Sequence, residues 1–167
     1  ILDPGLTFGT GAHPSTQMVM ETMEEALVPG TRCLDLGSGS GILSITALRL
    51  GAREALGVDI DPKAEDIARE NAAYNGFSAP AFTALTGNVT ADKGLMERLS
   101  QKEYGLVLVN IVADVIIPLA PHVPQFLKPG GLFICSGILD VRLHEVHAAL
   151  KRAGLHILST DAQEDWR

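Results

Sequence analysis

The sequence predicts an α/β domain built on a doubly wound, mostly parallel sheet, and three observations predict it. Short apolar runs alternate with longer amphipathic ones along the chain, the pattern of strands joined by crossover helices. The stretch CLDLGSGSGIL (33–43) carries a buried strand through three glycines straight into a helical run. At 167 residues the chain has the length of one domain with a core of its own.

The elements follow in order. Helical periodicity covers 15–27 before the first strand, RCLDL (32–36). A helix over 41–50 leads to ALGVDI (55–60), and a helix over 63–75 leads to AFTAL (81–85). The 63–75 helix has a marked start, with Asp61 as cap and Pro62 in its first turn. It ends at YNGF, where Gly76 suits a left-handed turn. A helix over 92–100 precedes LVLVNI (106–111). The next, over 113–127, carries Pro118, Pro121 and Pro124 and is expected to break or kink. KPGG (128–131) is a turn feeding LFICSGI (132–138), and a helix over 140–153 leads to a sixth strand, LHILST (155–160). With no internal repeat, low-complexity tract or linker, residues 1–167 read as a single domain. Ile1 and the closing EDWR read as cut ends of a piece from a longer protein.

Bulk properties exclude several functions. Thirteen basic against twenty acidic residues give a net charge of −7, which argues against direct nucleic-acid binding and suits a basic protein partner. No apolar run nears the roughly 20 residues of a membrane span, and no signal peptide opens the chain. Cys33 and Cys135 stand alone in apolar strands, as reduced buried thiols of a cytoplasmic protein do. In LHEVH (143–147), His144 and His147 lie one helical turn apart, but the zinc-protease pattern H-E-x-x-H and a third ligand are missing, so no metal site is expected.

The glycine loop carries the chemistry. Asp35 opens the pattern D-x-G-x-G-x-G, completed by Gly37, Gly39 and Gly41. Glycines let a ligand touch backbone, and the helix start beyond offers unpaired N–H groups. The dinucleotide fingerprint wants its third glycine one place later, where Ile42 stands. Twenty-two residues past Gly37, the second strand ends at Asp59, placed to accept hydrogen bonds from both ribose hydroxyls. Loop and carboxylate together fit a nucleoside with a non-phosphate tail. S-adenosylmethionine is such a ligand, and the pattern resembles the class I methyltransferases.

Six motifs in one order sharpen this: FGTGAHPST, DLGSGSGIL, GVDIDP, NIVADVIIPLAP, LKPGG and SGIL. Together they resemble the catalytic domain of the PrmA family, which methylates a large-subunit ribosomal protein, over nearly the whole chain. The resemblance implies a seven-stranded, mostly parallel sheet and an S-adenosylmethionine-dependent protein N-methyltransferase, acting as a monomer on lysine or N-terminal amines of a basic ribosomal protein. It also implies that Thr16 contacts the cofactor, that Gly37, Gly39 and Gly41 form its floor, and that Asp59 holds its ribose. Asn110 would face the transferable methyl group. Asp35 belongs to the same cofactor set. Where many class I methyltransferases place Gly-Asp near the adenine, this chain has Gly87-Asn88, and Asn88 takes that place. On the same resemblance, the family's N-terminal recognition domain is expected to be absent from this chain, and its last strand to be missing or clipped after Arg167.

TFGTGAHPST precedes the first strand, so it cannot be the cofactor floor. It reads as a cover with hinges at Gly9 and Gly11, or as a loop capping the next helix through Ser15 or Thr16. His13 reads either as the base for the acceptor amine or as a residue that orders the cover by hydrogen bonding. Three rival functions are a lysine methyltransferase of another protein, a nicotinamide-dependent oxidoreductase and a non-catalytic nucleoside-binding module. The early third glycine counts against the second, and an amide at the end of VNIVAD counts against the third.

Overall fold

A parallel strand is buried on both faces, so apolar runs in the sequence translate directly into sheet. The computed structural model describes residues 11–167. Helix α1 (Pro14–Ala26) precedes β1 (Arg32–Leu36), and α2 (Ile42–Arg49), β2 (Glu54–Asp59), α3 (Pro62–Tyr74) and β3 (Phe82–Thr86) follow. The second half runs α4 (Lys93–Ser100), β4 (Tyr104–Asn110), α5 (Ala113–Leu119), β5 (Leu127–Ser136) and α6 (Leu143–Arg152). All strand pairs are parallel, in the order β3-β2-β1-β4-β5.

Side chains alternate across the sheet and feed two cores. Leu34 and Leu36 of β1 join the cluster beneath α4, α5 and α6, with Tyr104, Val107, Val109, Ile116 and Phe126. Cys33 packs on the other side, with Val19 and Met23 of α1, residues of α2, and Ala68 and Ala72 of α3. Asp35 shares that second face by alternation. Of the three methionines of α1, Met18 and Met23 are buried and Met20 packs at the core's edge. Both cysteines are free, and burial pushes the Cys33 thiol up and Cys135 to about 12, which leaves them unreactive. No described helix is long and apolar enough to cross a membrane.

Several local expectations hold. The Asp61 side chain accepts from the Lys63 N–H with Pro62 opening α3, and Gly76 has φ +83°. The proline-rich stretch breaks as expected, with α5 ending at Leu119 and a 3-10 turn spanning Ala120–Gln125.

Others do not. Residues 155–160 form no strand, and Leu158 is 80% exposed. Strand residues are held by a ladder partner rather than by their own propensity, and no described strand pairs with this segment. The sheet has five strands among the described residues. KPGG is no free turn either, since Tyr104 pairs with Leu127 and Leu106 with Leu132. Residues 128–131 thus bulge from within β5, where Gly130 takes φ +74°.

The sheet order reverses direction at β1, between β2 on one side and β4 on the other. In open α/β sheets a crevice forms there, beyond the carboxyl ends of the strands. Leu36, Asp59, Thr86, Asn110 and Ser136 close the five strands at that edge.

Candidate functional site

A cavity of about 620 Å³ occupies the crevice, lined among others by Thr16, Gly37, Gly39, Asp59, Asn88 and Asn110. Each comes from the carboxyl end of a strand or the segment just past it, except Thr16, which α1 brings across from the chain's start.

The glycine loop is held from three sides. Gly37 and Ser38 N–H groups donate to the Val58 carbonyl at 2.8 and 3.1 Å, clamping the loop to β2. The buried Asn71 side chain donates to the Ser40 carbonyl at 2.9 Å, tying it to α3. Asp59 Oδ2 accepts the Gly39 N–H at 2.8 Å, and Oδ1 accepts the Asp61 N–H at 3.0 Å. Gly37 has φ +80°, and a Cβ there would sit 2.6 Å from Ile111 Cγ2, so glycine is the residue that fits.

Gly41 and Asp35 lie behind this surface rather than on it, since neither lines the cavity. Gly41 is the N-cap of α2 and has no side chain to cap with, while a Cβ there would press on Ala68 at 3.1 Å. Asp35 supplies the missing cap from β1: its Oδ2 accepts from Ser44 N–H at 3.1 Å and Ser44 Oγ at 2.8 Å. Its Oδ1 has no partner among the described residues, the residue is fully buried, and burial raises its pKa to about 6 against the pull of the Ser44 bonds.

Asn88 Oδ1 accepts from Thr90 N–H and Oγ1 at 3.1 and 2.8 Å, a local turn that leaves its Nδ2 as the end turned to other partners. Asn110 Nδ2 donates to Thr16 Oγ1 at 2.9 Å. Thr16 is buried in the first turn of α1.

The cap of α1 is His13 rather than Ser15 or Thr16, with Pro14 opening the helix. His13 Nδ1 accepts the Ser15 N–H at 3.2 Å and lies 2.7 Å from Ser15 Oγ. Its ring meets Trp166 edge-on at 4.7 Å, and it does not line the cavity. Of the two hinges, Gly9 lies outside the described residues together with Thr7, Phe8 and Thr10. Gly11 has φ +82° and packs on Ile42, itself a cavity residue.

Sequence reasoning missed Ile111 and Asp114 as neighbours of the site. Ile111 follows Asn110 directly, so the strand-end rule that found one reaches the other. His144 and His147 lie on α6, where His147 Nε2 meets Thr160 Oγ1 at 3.2 Å. No group of three or more metal-ligating side chains occurs among the described residues.

The donor set fits S-adenosylmethionine by its own chemistry. A glycine floor admits a close-packed tail, Asp59 keeps unused lone pairs for two hydroxyls, and Asn88 offers an N–H donor for a base. A family model described as ribosomal protein L11 methyltransferase (PrmA) matches residues 1–167. The chain is 41% identical over 168 residues to a ribosomal protein L11 methyltransferase of Agathobacter rectalis, covering 99% of this chain and 52% of that protein. It thus spans about half the length of the curated relatives it matches. A crystal structure of ribosomal protein L11 methylase from Lactobacillus delbrueckii subsp. bulgaricus superposes with TM-score 0.87 at 33% identity, covering 99% of this chain and 80% of that one. A SAM-dependent methyltransferase from Agrobacterium tumefaciens gives TM-score 0.70 at 17% identity, covering 87% and 51% of the two chains, a likeness of fold.

Proposed function

The chain belongs to the ribosomal protein L11 methyltransferase (PrmA) family, and on that premise we propose that it is an S-adenosylmethionine-dependent protein methyltransferase domain acting on amines of ribosomal protein L11. The observation that carries this reading is one cavity collecting Gly37, Gly39, Asp59 and Asn110 at the ends of β1, β2 and β4. Residues 1–167 are read as one cofactor-holding domain, working as a monomer in the cytoplasm, where a ribosomal substrate is found. Its charge of −7 complements a basic protein partner.

Bound S-adenosylmethionine supplies an electrophilic methyl group on a sulfonium. The residues of this chain bind, align and dehydrate. Asp59 would hold the ribose hydroxyls while pinning Gly39, so that ligand and loop would share one anchor. Asn110, anchored through Nδ2 by Thr16, turns its oxygen to accept an N–H of the incoming amine and aim the lone pair. A neutral amine is the reactive form. Reaching it at about pH 7 costs about 4.6 kcal/mol for a lysine and about 1.1 kcal/mol for an α-amine. Desolvation lowers the amine pKa and reduces either cost. A strong base is therefore dispensable, in keeping with the place of His13 as a helix cap off the cavity.

Two measurements test the reading. Calorimetry should show S-adenosylhomocysteine binding and NAD failing to bind; the reverse order makes the chain an oxidoreductase. Mass spectrometry of ribosomal protein L11 incubated with labelled cofactor and the full-length protein that carries this domain should show methylated amines, and an unlabelled product removes the proposed substrate. Asn110→Ala should lower turnover about 100-fold with cofactor affinity within about threefold, because the amide positions the amine rather than the nucleoside. Parallel losses in both quantities contradict that division of labour.

A further inference from the structure

The SGIL motif ends β5 beside Asn110, and its glycine has a physical role that cofactor binding does not explain. Asn110 and Ser136 are register partners at the ends of β4 and β5, and Ile111 N–H donates to the Ser136 carbonyl at 3.1 Å. The chain then turns at Gly137, with φ +84°. A Cβ on Gly137 would stand 2.7 Å from the Ile111 carbonyl oxygen and 3.1 Å from Asn110 Oδ1. Any side chain there must displace the peptide, the carboxamide or both. Two oxygens thus converge on the space that a glycine leaves empty. The far end of the same carboxamide, Nδ2, is fixed by Thr16 Oγ1 at 2.9 Å, and Oδ1 accepts no bond from a described residue.

We propose that Gly137 is a positioning residue: with Thr16 it holds the Asn110 carboxamide and the Ile111 carbonyl so that both oxygens face the acceptor amine. This rests on the methyltransferase reading above. The pair of oxygens matches an amine nitrogen that must present two N–H bonds and one aimed lone pair. Carboxamides have two ends of like shape, so their orientation is set by neighbours: a hydroxyl on one side, and here bare space on the other.

The test is Gly137→Ala in this chain, with two readouts. In ¹⁵N-labelled protein, the Asn110 side-chain amide pair, identified by its loss in Asn110→Ala, should shift or broaden, while the backbone signals of Gly37 and Gly39 stay in place. In the full-length protein that carries this domain, with ribosomal protein L11 as acceptor, kcat should fall about 30-fold and the KM for S-adenosylmethionine should stay within about threefold. In an Asn110→Ala background the same substitution should cost clearly less than in the unmodified protein, since only the Ile111 carbonyl is left for it to displace. An unmoved amide pair, or equal losses in both backgrounds, overturns the proposal. If Gly137→Ala does not fold, Thr16→Val should move the amide pair and lower kcat, and Thr16→Ser should restore both; a silent Thr16→Val overturns it equally. If the full-length protein that carries this domain methylates no L11, the functional reading fails, and the amide signal still decides the role of Gly137.

Discussion

Asp59→Ala should weaken S-adenosylhomocysteine binding about 100-fold, close to 2.7 kcal/mol at about 25 °C. The carboxylate has two jobs that fail together. It faces the cavity, where it would take the ribose hydroxyls, and its Oδ2 already holds the Gly39 N–H at 2.8 Å. A hydrogen bond to a charged group contributes about 1.5–3 kcal/mol, so losing the ribose contacts alone approaches the expected figure. The loop does not collapse, because Gly37 and Ser38 keep their bonds to Val58 and Asn71 keeps Ser40. That residual support is why the expected loss is 100-fold rather than total. Asp59→Asn should lose about tenfold, since one oxygen remains for Gly39 while an NH₂ group replaces the acceptor of the Asp61 N–H. Titration calorimetry measures both. An alanine variant binding within about threefold of the unmodified chain would remove Asp59 from the site.

What was legible in the sequence follows from how local each cause is. Parallel strands buried on both faces show as unbroken apolar runs, so RCLDL and LVLVNI could be placed to within two residues. Asp61-Pro62 and the prolines after Pro118 act within a turn of themselves, and both took the expected form. LHILST carries equal β propensity, but pairing is a property of the neighbour, and the described sheet offers it none.

The site divides the same way. Gly37, Asp59 and Asn110 sit at strand ends, where the architecture itself directs them to the crevice. The bond from Asn110 to Thr16 spans 94 residues and has no local trace. His13 had one: Pro14 favours the first helical position, which makes the residue before it the cap, a rule that outranks the preference for serine or threonine. Asp35 looked like a cofactor ligand because it opens the glycine pattern. Strand alternation turns it beneath the loop instead, with Cys33, toward α2.

That buried carboxylate should make the chain gain stability as pH falls, relative to an Asp35→Asn variant. In the unfolded chain Asp35 titrates near 3.8, while in the folded chain burial lifts it to about 6 despite the bonds from Ser44. Between those values the folded state holds a proton that the unfolded state has released, so acid favours folding there and rising pH opposes it. The stability from this group is complete below about 4, falls as pH climbs through 6, and is gone above it; the full difference is about 3 kcal/mol. Glu54 and Glu145 act in the opposite sense. Glu54 is raised somewhat by burial but held below its usual value by Lys102 and Arg32, so its contribution is lost in acid. Such groups are present in both proteins and cancel in the comparison. The asparagine keeps an oxygen for Ser44 and places an unpartnered NH₂ where Oδ1 lies, a cost of about 1–3 kcal/mol that does not depend on pH. Urea unfolding of both chains should therefore show the aspartate form gaining about 2 kcal/mol on the variant between about pH 7 and about pH 4.5. A flat difference would mean that Asp35 stays ionised in the fold, balanced by the N-terminus of α2, and that its unpartnered oxygen is solvated.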